Sequence, residues 1–255
     1  MGKLFVSELI PREELKKVMK ETGAGLETIR FSMSDSLDHI EQNYREFEED
    51  LDYWDHPALS FHGPFVDLVP VSYDSKIQAV TMERFNEGYR AAAHFGAENI
   101  VFHSGMVPDI YLTIGWAERI IDFWHAFMKD KTGVTVLMEN MLDREIHPFE
   151  DVMKDEILGK MPNFGICLDI GHVHCRSPYA VAEWIDKLGP AIKHVHLHNN
   201  FGSQDTHNAL DDGTLPVETV MSLLRDLPGE RTWTIECASY ERIMRSFDVW
   251  QHYIG

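Results

Sequence analysis

Histidine, aspartate and glutamate residues follow a series of short apolar runs along this 255-residue chain. Imidazole and carboxylate groups are the ligands that zinc, manganese and related divalent cations take from proteins. Several carboxylates gathered without a cation would repel one another and raise one another's pKa. The pattern therefore predicts a divalent metal site, with the candidate ligands His62, His103, Glu139, Asp169, His172, Asp205, His207, Glu236 and at least one of His194, His196 and His198.

Two pairs in this set have spacings that suit a common cleft. Asp169 and His172 are three residues apart where a strand would pass into a turn, and Asp205 and His207 are two residues apart in a loop. Each spacing lets both side chains face the same cavity. No two cysteines stand in a CxxC arrangement, which argues against a structural zinc-thiolate site.

Two positions near this set stay open at the level of sequence. Alternation along a strand puts His194, His196 and His198 on the same face, so spacing alone does not choose among them. Glu27, near a predicted second strand, could point into the mouth of the site or equally toward a helix or solvent.

The elements that position these residues follow from hydrophobic periodicity. Apolar runs rich in Val, Ile and Phe alternate with longer helical patterns, which is typical of βαβ units and a parallel sheet. Met82, Phe85, Tyr89 and Ala92, for example, repeat at spacings of three and four and mark one apolar helix face. The predicted strands are Lys3–Ser7, Leu26–Phe31, Ala58–His62, Asn99–His103, Val134–Glu139, Phe164–Asp169, His194–His198 and Thr232–Glu236.

Eight strands, each followed by a helix, in a chain of 255 residues predict an α/β fold, the (β/α)8 TIM barrel, as one domain over residues 1–255. A doubly wound open sheet is the alternative, but it typically carries a GxGxxG turn that this sequence lacks. In a barrel, all strand C-termini meet at the catalytic face. Six consecutive strands would then deliver His, Asp or Glu to one small volume. A helix N-cap or an ordinary surface histidine explains each case alone, but not all six together.

The balance of charged residues indicates which partners the protein can bind. The chain has 23 Lys and Arg against 42 Asp and Glu, a formal net charge of −19, and no basic run. Nucleic acids are bound by clustered Lys and Arg, so this balance argues against DNA as a partner. The acidic segment 35–55 is expected to be a solvated helix face. Lys193 and Arg176 stand near site residues in sequence and are candidates to meet a phosphate.

Three further features bear on where the protein resides. Cys167, Cys175 and Cys237 form an odd, sparse set, which predicts reduced structural thiols rather than disulfides. No basic segment followed by an apolar run opens the chain, and no apolar stretch approaches the roughly 20 residues that span a bilayer. We expect a cytoplasmic protein without a membrane partner.

The combination Glu139-Asn140, Leu168-Asp169-x-x-His172, His196-Leu197-x-Asn199 and Glu236 resembles the xylose isomerase-like TIM-barrel superfamily. That superfamily includes sugar isomerases, sugar epimerases and AP endonuclease family 2, and the resemblance runs from near Lys3 to Glu236. It implies a metal-dependent enzyme with one to three divalent ions, zinc or manganese, and a sugar or sugar-phosphate substrate. It also implies a homo-oligomer, since many relatives pair as dimers or tetramers.

Two branches of the superfamily imply different chemistry. In the isomerase and epimerase branch, one metal would be held by Glu139, Asp169, His196 and Glu236. Glu139 and Glu236 would also be the catalytic groups that move protons beside the carbonyl of a keto sugar, with His172 near the substrate.

In the endonuclease branch, three zinc ions would cleave a phosphodiester. The positions filled here would be His62, His103 and Glu139 for the first ion, Glu139, Asp169, His196 and Glu236 for the second, and His172, Asp205 and His207 for the third.

The composition of two predicted surface loops argues against DNA as a partner. Residues 32–38 and 199–216, the predicted loops after strands two and seven, contain no Lys or Arg. We therefore predict a sugar isomerase or epimerase, with a three-metal phosphodiesterase as the alternative. A non-catalytic metal-binding domain is a third reading, disfavoured because an open metal site at a catalytic face usually does chemistry.

Overall fold

A computed structural model describes residues 2–104, 114–141 and 143–255 of the chain. Eight parallel strands close into a barrel in chain order, and the last strand pairs with the first. This confirms the predicted (β/α)8 architecture and excludes the open sheet. The strands are β1 Leu4–Ser7, β2 Gly25–Thr28, β3 Leu59–His62, β4 Asn99–His103, β5 Thr135–Glu139, β6 Phe164–Asp169, β7 Ile192–Leu197 and β8 Thr232–Ile235.

Helices surround the barrel and follow the predicted apolar stripes. Phe85 and Tyr89 are buried along one helix, whose start is capped by Asp74, which accepts a hydrogen bond from the Lys76 amide. Side-chain capping of this kind satisfies amides that have no partner within the helix. The helices described are α1 Arg12–Thr22, α2 Ser34–Asp38, α3 Ile40–Tyr53, α4 Ser75–His94, α5 Trp116–Met128, α6 His147–Lys154, α7 Ile170–Arg176, α8 Val181–Leu188, α9 Val217–Asp226 and α10 Tyr240–Tyr253.

The barrel separates two interiors of different character. Outside it, strands and helices share a large apolar core in which Phe85 stacks on Phe102 at 4.3 Å between ring centroids. Inside it, the buried apolar cluster is small and consists of Val101, Leu137 and Cys167. Polar side chains and the buried ring of Phe5, whose centroid lies 6.3 Å from that of His194, occupy much of the rest of that interior, so the outer core supplies most of the hydrophobic stabilisation.

Two predicted strands differ from the observed bounds by more than one residue at an end, and four others differ by a single residue. The second was expected to reach Phe31 but ends at Thr28. There the Thr28 hydroxyl accepts a hydrogen bond from the Arg30 amide, and the Ser32 amide donates to the Ile29 carbonyl. These local bonds compete with the sheet and turn the chain out of the barrel. The seventh strand begins earlier, at Ile192, and ends at Leu197, one residue before His198.

Other expectations concern the surface and the thiols. The acidic segment 35–55 lies largely in α2 and α3 and is mostly exposed outside its apolar stripe. Cys167, Cys175 and Cys237 are buried and free, as expected. Within the described ranges, no helix combines the length and apolarity needed to cross a membrane.

Removing the fully buried ring of Phe127, which packs against Phe102 and Trp124, should destabilise the fold. Phe127→Ala is expected to lower the free energy of unfolding by about 3–5 kcal/mol, because the outer core would be left with a cavity. Phe201 is 61% exposed, so Phe201→Ala should change it by no more than about 0.5 kcal/mol. Denaturant unfolding checks both values, and equal losses would contradict this account of the core.

Candidate metal centre

All nine predicted ligands lie at one end of the barrel. His62, His103, Glu139 and Asp169 are the last residues of β3, β4, β5 and β6. His196 lies within β7, and Glu236 directly follows β8, whereas His172 is in α7 and Asp205 and His207 are in the loop between β7 and α9. The parallel strands therefore bring together residues that are as far apart as 62 and 236 in the chain. The donor atoms fall into three clusters.

The first cluster joins β3, β4 and β5. The Nε2 atoms of His62 and His103 lie 3.0 Å apart. Oε2 of Glu139 is 3.2 Å from Nε2 of His103 and 3.6 Å from Nε2 of His62. Nδ1 of His62 lies 2.9 Å from the Gly63 carbonyl oxygen and donates to it, so the neutral ring presents a lone pair at Nε2.

The second cluster surrounds Nδ1 of His196. Oε1 of Glu139 lies 3.2 Å from this atom, Oε1 of Glu236 lies 3.4 Å away, and Oδ2 of Asp169 lies 3.8 Å away. His196, Asp169 and Glu139 are fully buried, and Glu236 is 6% exposed. Glu139 directs one oxygen to each of the first two clusters and so joins them.

The third cluster is centred on Asp205. Its Oδ2 lies 3.2 Å from Nε2 of His172 and 3.1 Å from Nε2 of His207. Both rings donate from Nδ1 to a carbonyl oxygen, that of Asn140 for His172 at 2.9 Å and that of Glu236 for His207 at 3.0 Å. Their neutral forms therefore also direct Nε2 lone pairs at a carboxylate.

His198 belongs beside this third cluster, although no ligand role was predicted for it. Its Nε2 lies 3.1 Å from Asp169, its Nδ1 lies 3.6 Å from Oδ1 of Asp205, and its ring stacks on His207 at 4.1 Å between centroids. Strand alternation had placed His194, His196 and His198 on one face, but it could not show which ring reaches which cluster.

The buried donor atoms of the clusters are arranged as a cation would require. Oε2 of Glu139, Oδ1 of Asp205 and Nδ1 of His198 are buried and have no hydrogen-bond partner among the described residues. An unpaired buried polar group costs free energy, and acceptors that face acceptors repel. Nitrogen and carboxylate oxygen donors in close groups of three or four suit zinc, manganese and similar ions. The residues present fit divalent metal.

Protons stabilise the same arrangement when no cation is supplied. Burial opposes the charged form of His172, but the carboxylates of Asp169, Asp205 and Glu139 outweigh it and raise its pKa well above the usual value. Burial likewise opposes the charged form of His207, while Asp205 and Glu236 raise its pKa to about 9. Metal ions and protons therefore compete for the same nitrogen atoms.

Hydrogen bonds hold the ligands in place. Oδ1 of Asp169 caps α7 by accepting from the His172 amide at 2.7 Å. The Asn140 side chain donates to the Asp169 carbonyl at 2.9 Å and accepts from the Asp169 amide at 2.8 Å. Gly171 leaves room for His198, since a Cβ atom there would lie 2.0 Å from its ring. Asp169 is therefore an N-cap and a cluster member at once.

The backbone of His207 is held in a costly conformation. Its φ of 44° lies in the left-handed region, which costs a non-glycine residue on the order of 1–3 kcal/mol. The bond from its ring to the Glu236 carbonyl and the antiparallel bridge between Asn199 and Asn208 fix the loop around it. The fold thus accepts local strain to direct this imidazole at Asp205.

A cavity of about 370 Å³ opens onto the clusters. Its lining combines residues of the clusters, among them His62, His103 and Glu236, with apolar side chains. No Lys or Arg belongs to the described lining. The apolar residues are Leu9, Ile29, Met33, Phe65 and Met141.

Neither candidate phosphate contact reaches this cavity. Lys193 lies near the start of β7, at the opposite end of the barrel, where its ammonium group donates to the Pro162 carbonyl at 2.7 Å. Arg176 ends α7 and is exposed. Proximity in sequence was misleading here, because Lys193 lies near the start of β7 and the metal-binding candidates lie at the other end of the strands.

Two carboxylates near the centre were not assigned from sequence. Glu27 points into the barrel, and its Oε1 lies 3.1 Å from Nε2 of His196, which decides the orientation that the sequence left open. Asp143 accepts a hydrogen bond from the Ser104 hydroxyl at 2.6 Å. Burial is the main cause that raises the pKa of Asp143 to about 7. No periodic pattern marks Asp143, because it lies between β5 and α6.

Fold and site together define a TIM barrel with a histidine-carboxylate centre at the C-terminal ends of its strands. The family described as xylose isomerase-like TIM barrel matches residues 8–251. The chain belongs to this family, as its motifs indicated.

Individual relatives are distant. An uncharacterized protein of Methanocaldococcus jannaschii is 25% identical over an alignment of 206 positions that covers 76% of this chain and 69% of the relative. A D-tagatose 3-epimerase-like protein superposes with a TM-score of 0.79 at 23% identity, over 98% of this chain and 96% of the other. Endonuclease IV of Thermus thermophilus gives a TM-score of 0.67 at 16% identity, over 98% of this chain and 99% of the other. At these identities the two structures show a shared fold.

Glu139→Gln should sharply reduce metal content, because Glu139 directs an oxygen to both the first and the second cluster. His62→Ala should cost only the metal of the first cluster. Elemental analysis of purified, metal-reconstituted variants gives the number of ions per chain. Unchanged occupancy in Glu139→Gln would contradict the bridging geometry.

Metal binding should release protons at pH 7, because the pKa of His207 is raised from 6.5 to about 9. The apparent metal affinity should therefore increase as the pH rises from about 6.5 to 9. In metal-depleted protein, the stabilisation from protonated His207 is complete below pH 6.5 and is lost as the pH rises through about 9. Calorimetry in buffers of different ionisation enthalpy counts the protons, and binding without proton release would rule out this competition.

Proposed function

We propose that this protein is a divalent-metal-dependent isomerase or epimerase of a small sugar. The observation that carries the proposal is the convergence of Glu139, Asp169 and Glu236 on Nδ1 of His196, beside a cavity of about 370 Å³. That volume lies in the range of small-molecule sites. The name of the D-tagatose 3-epimerase-like neighbour supports the same chemistry.

The residues that would hold the cation of this reaction are Glu139, Asp169, His196 and Glu236. Zinc or manganese suits these donors. When bound, a divalent cation would polarise the carbonyl of a keto sugar and so ease removal of a proton from the adjacent carbon.

The side chains would divide the remaining work. Glu236 lines the cavity beside His207, with its Oε2 3.7 Å from Nδ1 of that ring, and is proposed as the group that takes a proton from the sugar carbon or returns one. Glu139 also lines the cavity and is proposed as the second proton-transfer group, although both its oxygens face histidine nitrogens. His172 lies at the cavity wall, where it would orient the substrate.

The cavity lining favours an uncharged sugar over a sugar phosphate. Its apolar side chains, among them Leu9, Ile29, Met33 and Phe65, would cover carbon-bound hydrogen atoms and exclude water from the reacting centre. A phosphate group would require a cationic partner, and the described lining contains neither Lys nor Arg.

A zinc-dependent phosphodiesterase is the second candidate. It is favoured by the first and third clusters, which a one-metal isomerase does not require, and by the likeness to endonuclease IV. The net charge of −19 and the segments 32–38 and 199–216, which lack Lys and Arg, argue against DNA as its substrate. A small phosphodiester would remain compatible with this site.

The reaction can be detected without knowing the product. Metal-loaded protein incubated with a panel of keto sugars in D₂O should incorporate one deuterium per turnover at the carbon next to the carbonyl, because the proton passes through a carboxylate that exchanges with solvent. NMR and mass spectrometry measure the exchange. Glu236→Gln should reduce it at least about 100-fold, in line with the contribution of general acid-base groups.

Phe201→Ala is the matched control, since Phe201 is 61% exposed and does not line the cavity, and it should exchange at the unaltered rate. Hydrolysis of small phosphodiesters without deuterium incorporation into any sugar would select the second candidate. Metal binding without turnover of any keto sugar or small phosphodiester would contradict both candidate functions and favour a non-catalytic binding domain.

A further inference from the structure

A buried carboxylate outside the predicted ligand set lies directly behind the second cluster. Glu27, in β2, is fully buried inside the barrel. Its Oε1 lies 3.1 Å from Nε2 of His196. This nitrogen is on the far side of the ring from Nδ1, which faces Glu139 and Glu236. Glu27 thus contacts this candidate ligand through the ring nitrogen opposite the one that faces Glu139, although its carboxylate also lies near that of Glu236.

The other side of the Glu27 carboxylate is fixed by neutral groups. Its Oε2 accepts hydrogen bonds from the hydroxyls of Ser60 at 2.6 Å and Thr234 at 2.8 Å. Nε2 of His194 lies 3.3 Å from the same oxygen. These contacts come from β3, β7 and β8, so the carboxylate is held from three sides and Oε1 is directed at His196.

Oε1 of Glu27 and Nε2 of His196 are both buried, and neither has a well-aligned hydrogen bond to any described group. Buried polar atoms rarely stay unpaired, because the loss of hydration is not compensated. At 3.1 Å, each atom is a suitable partner for the other.

The contact between Glu27 and His196 distinguishes this ring from the imidazoles of the other clusters. His62, His172 and His207 each donate from Nδ1 to a backbone carbonyl, which leaves Nε2 for the cluster. His196 is reversed, with Nδ1 toward the cluster. Its opposite nitrogen meets the Glu27 carboxylate in place of a carbonyl oxygen.

We propose that Glu27 is a positioning residue that accepts the Nε2 hydrogen of His196 and so presents the Nδ1 lone pair to the second cluster. A carboxylate in this role fixes the tautomer and ring orientation and makes the ligating nitrogen more basic. The inference rests on the metal centre of the proposed function and holds for either reaction there.

The tautomer can be read directly by ¹⁵N NMR of protein labelled at the histidine rings and titrated with zinc. In the wild type, His196 should keep its Nε2 hydrogen at every zinc concentration, while Nδ1 shifts as zinc is added. Zinc bound through Nε2, or an Nε2 without hydrogen, would overturn the role of Glu27. If the Nδ1 signal of His196 never shifts, zinc does not bind there. That result would contradict the metal centre of the proposed function and therefore also the role of Glu27.

Glu27→Gln keeps the volume of the side chain but removes its charge. It should weaken the zinc affinity of one site about 10–100-fold, measured by competition with a chelator, and leave the other sites unchanged. The ¹⁵N spectrum should show a loss of the single His196 tautomer. Unaltered affinity together with an unaltered tautomer would contradict the proposal.

Glu8→Gln is the matched control. Glu8 is another largely buried carboxylate, but its partners are Thr28 and Arg30, away from the cavity lining. It should lower stability without changing any zinc affinity. An equal loss of affinity in both variants would mean that Glu27 acts only through stability, and the positioning role would be rejected.

Discussion

The site depends on hydrogen-bond acceptors, imidazole nitrogens and carboxylate oxygens, that face one another at the C-terminal end of the barrel. Three imidazoles are held by backbone carbonyls at Nδ1, and their Nε2 lone pairs are directed at the carboxylates of Glu139 and Asp205. Such an arrangement is repulsive unless a cation or protons lie between the acceptors. The strand ends, the cap at Asp169 and the strained backbone of His207 all serve to maintain it.

The division of the molecule into two interiors makes this arrangement compatible with a stable fold. The core between strands and helices is rich in aromatic residues and does not involve the site. The barrel interior can therefore hold polar groups such as Glu27, His194 and Thr234, which satisfy one another by hydrogen bonds. A barrel filled only with Val, Ile and Leu would lack a hydrogen-bond acceptor for Nε2 of His196, the role proposed for Glu27.

The sequence predicted the barrel and the strand-end ligands, because strand order fixes which side chains reach the C-terminal face. His172, Asp205 and His207 lie off the strands, and their spacing and the family resemblance predicted them. Strand bounds were less accurate, since Thr28 ends β2 by a local bond to the Arg30 amide. The environments of Glu27 and His198 depend on contacts between distant strands, which periodicity does not encode. Asp143 lies in an irregular segment and carries no pattern at all.

Anomalous X-ray diffraction from crystals soaked with zinc or manganese tests the central claim most directly. The account predicts anomalous peaks within the clusters, with a peak between Glu139, Asp169, His196 and Glu236 in every case. The imidazole rings should keep the orientations set by Gly63, Asn140 and the Glu236 carbonyl. Crystals without peaks, in which these rings have turned to hydrogen-bond the carboxylates directly, would contradict it.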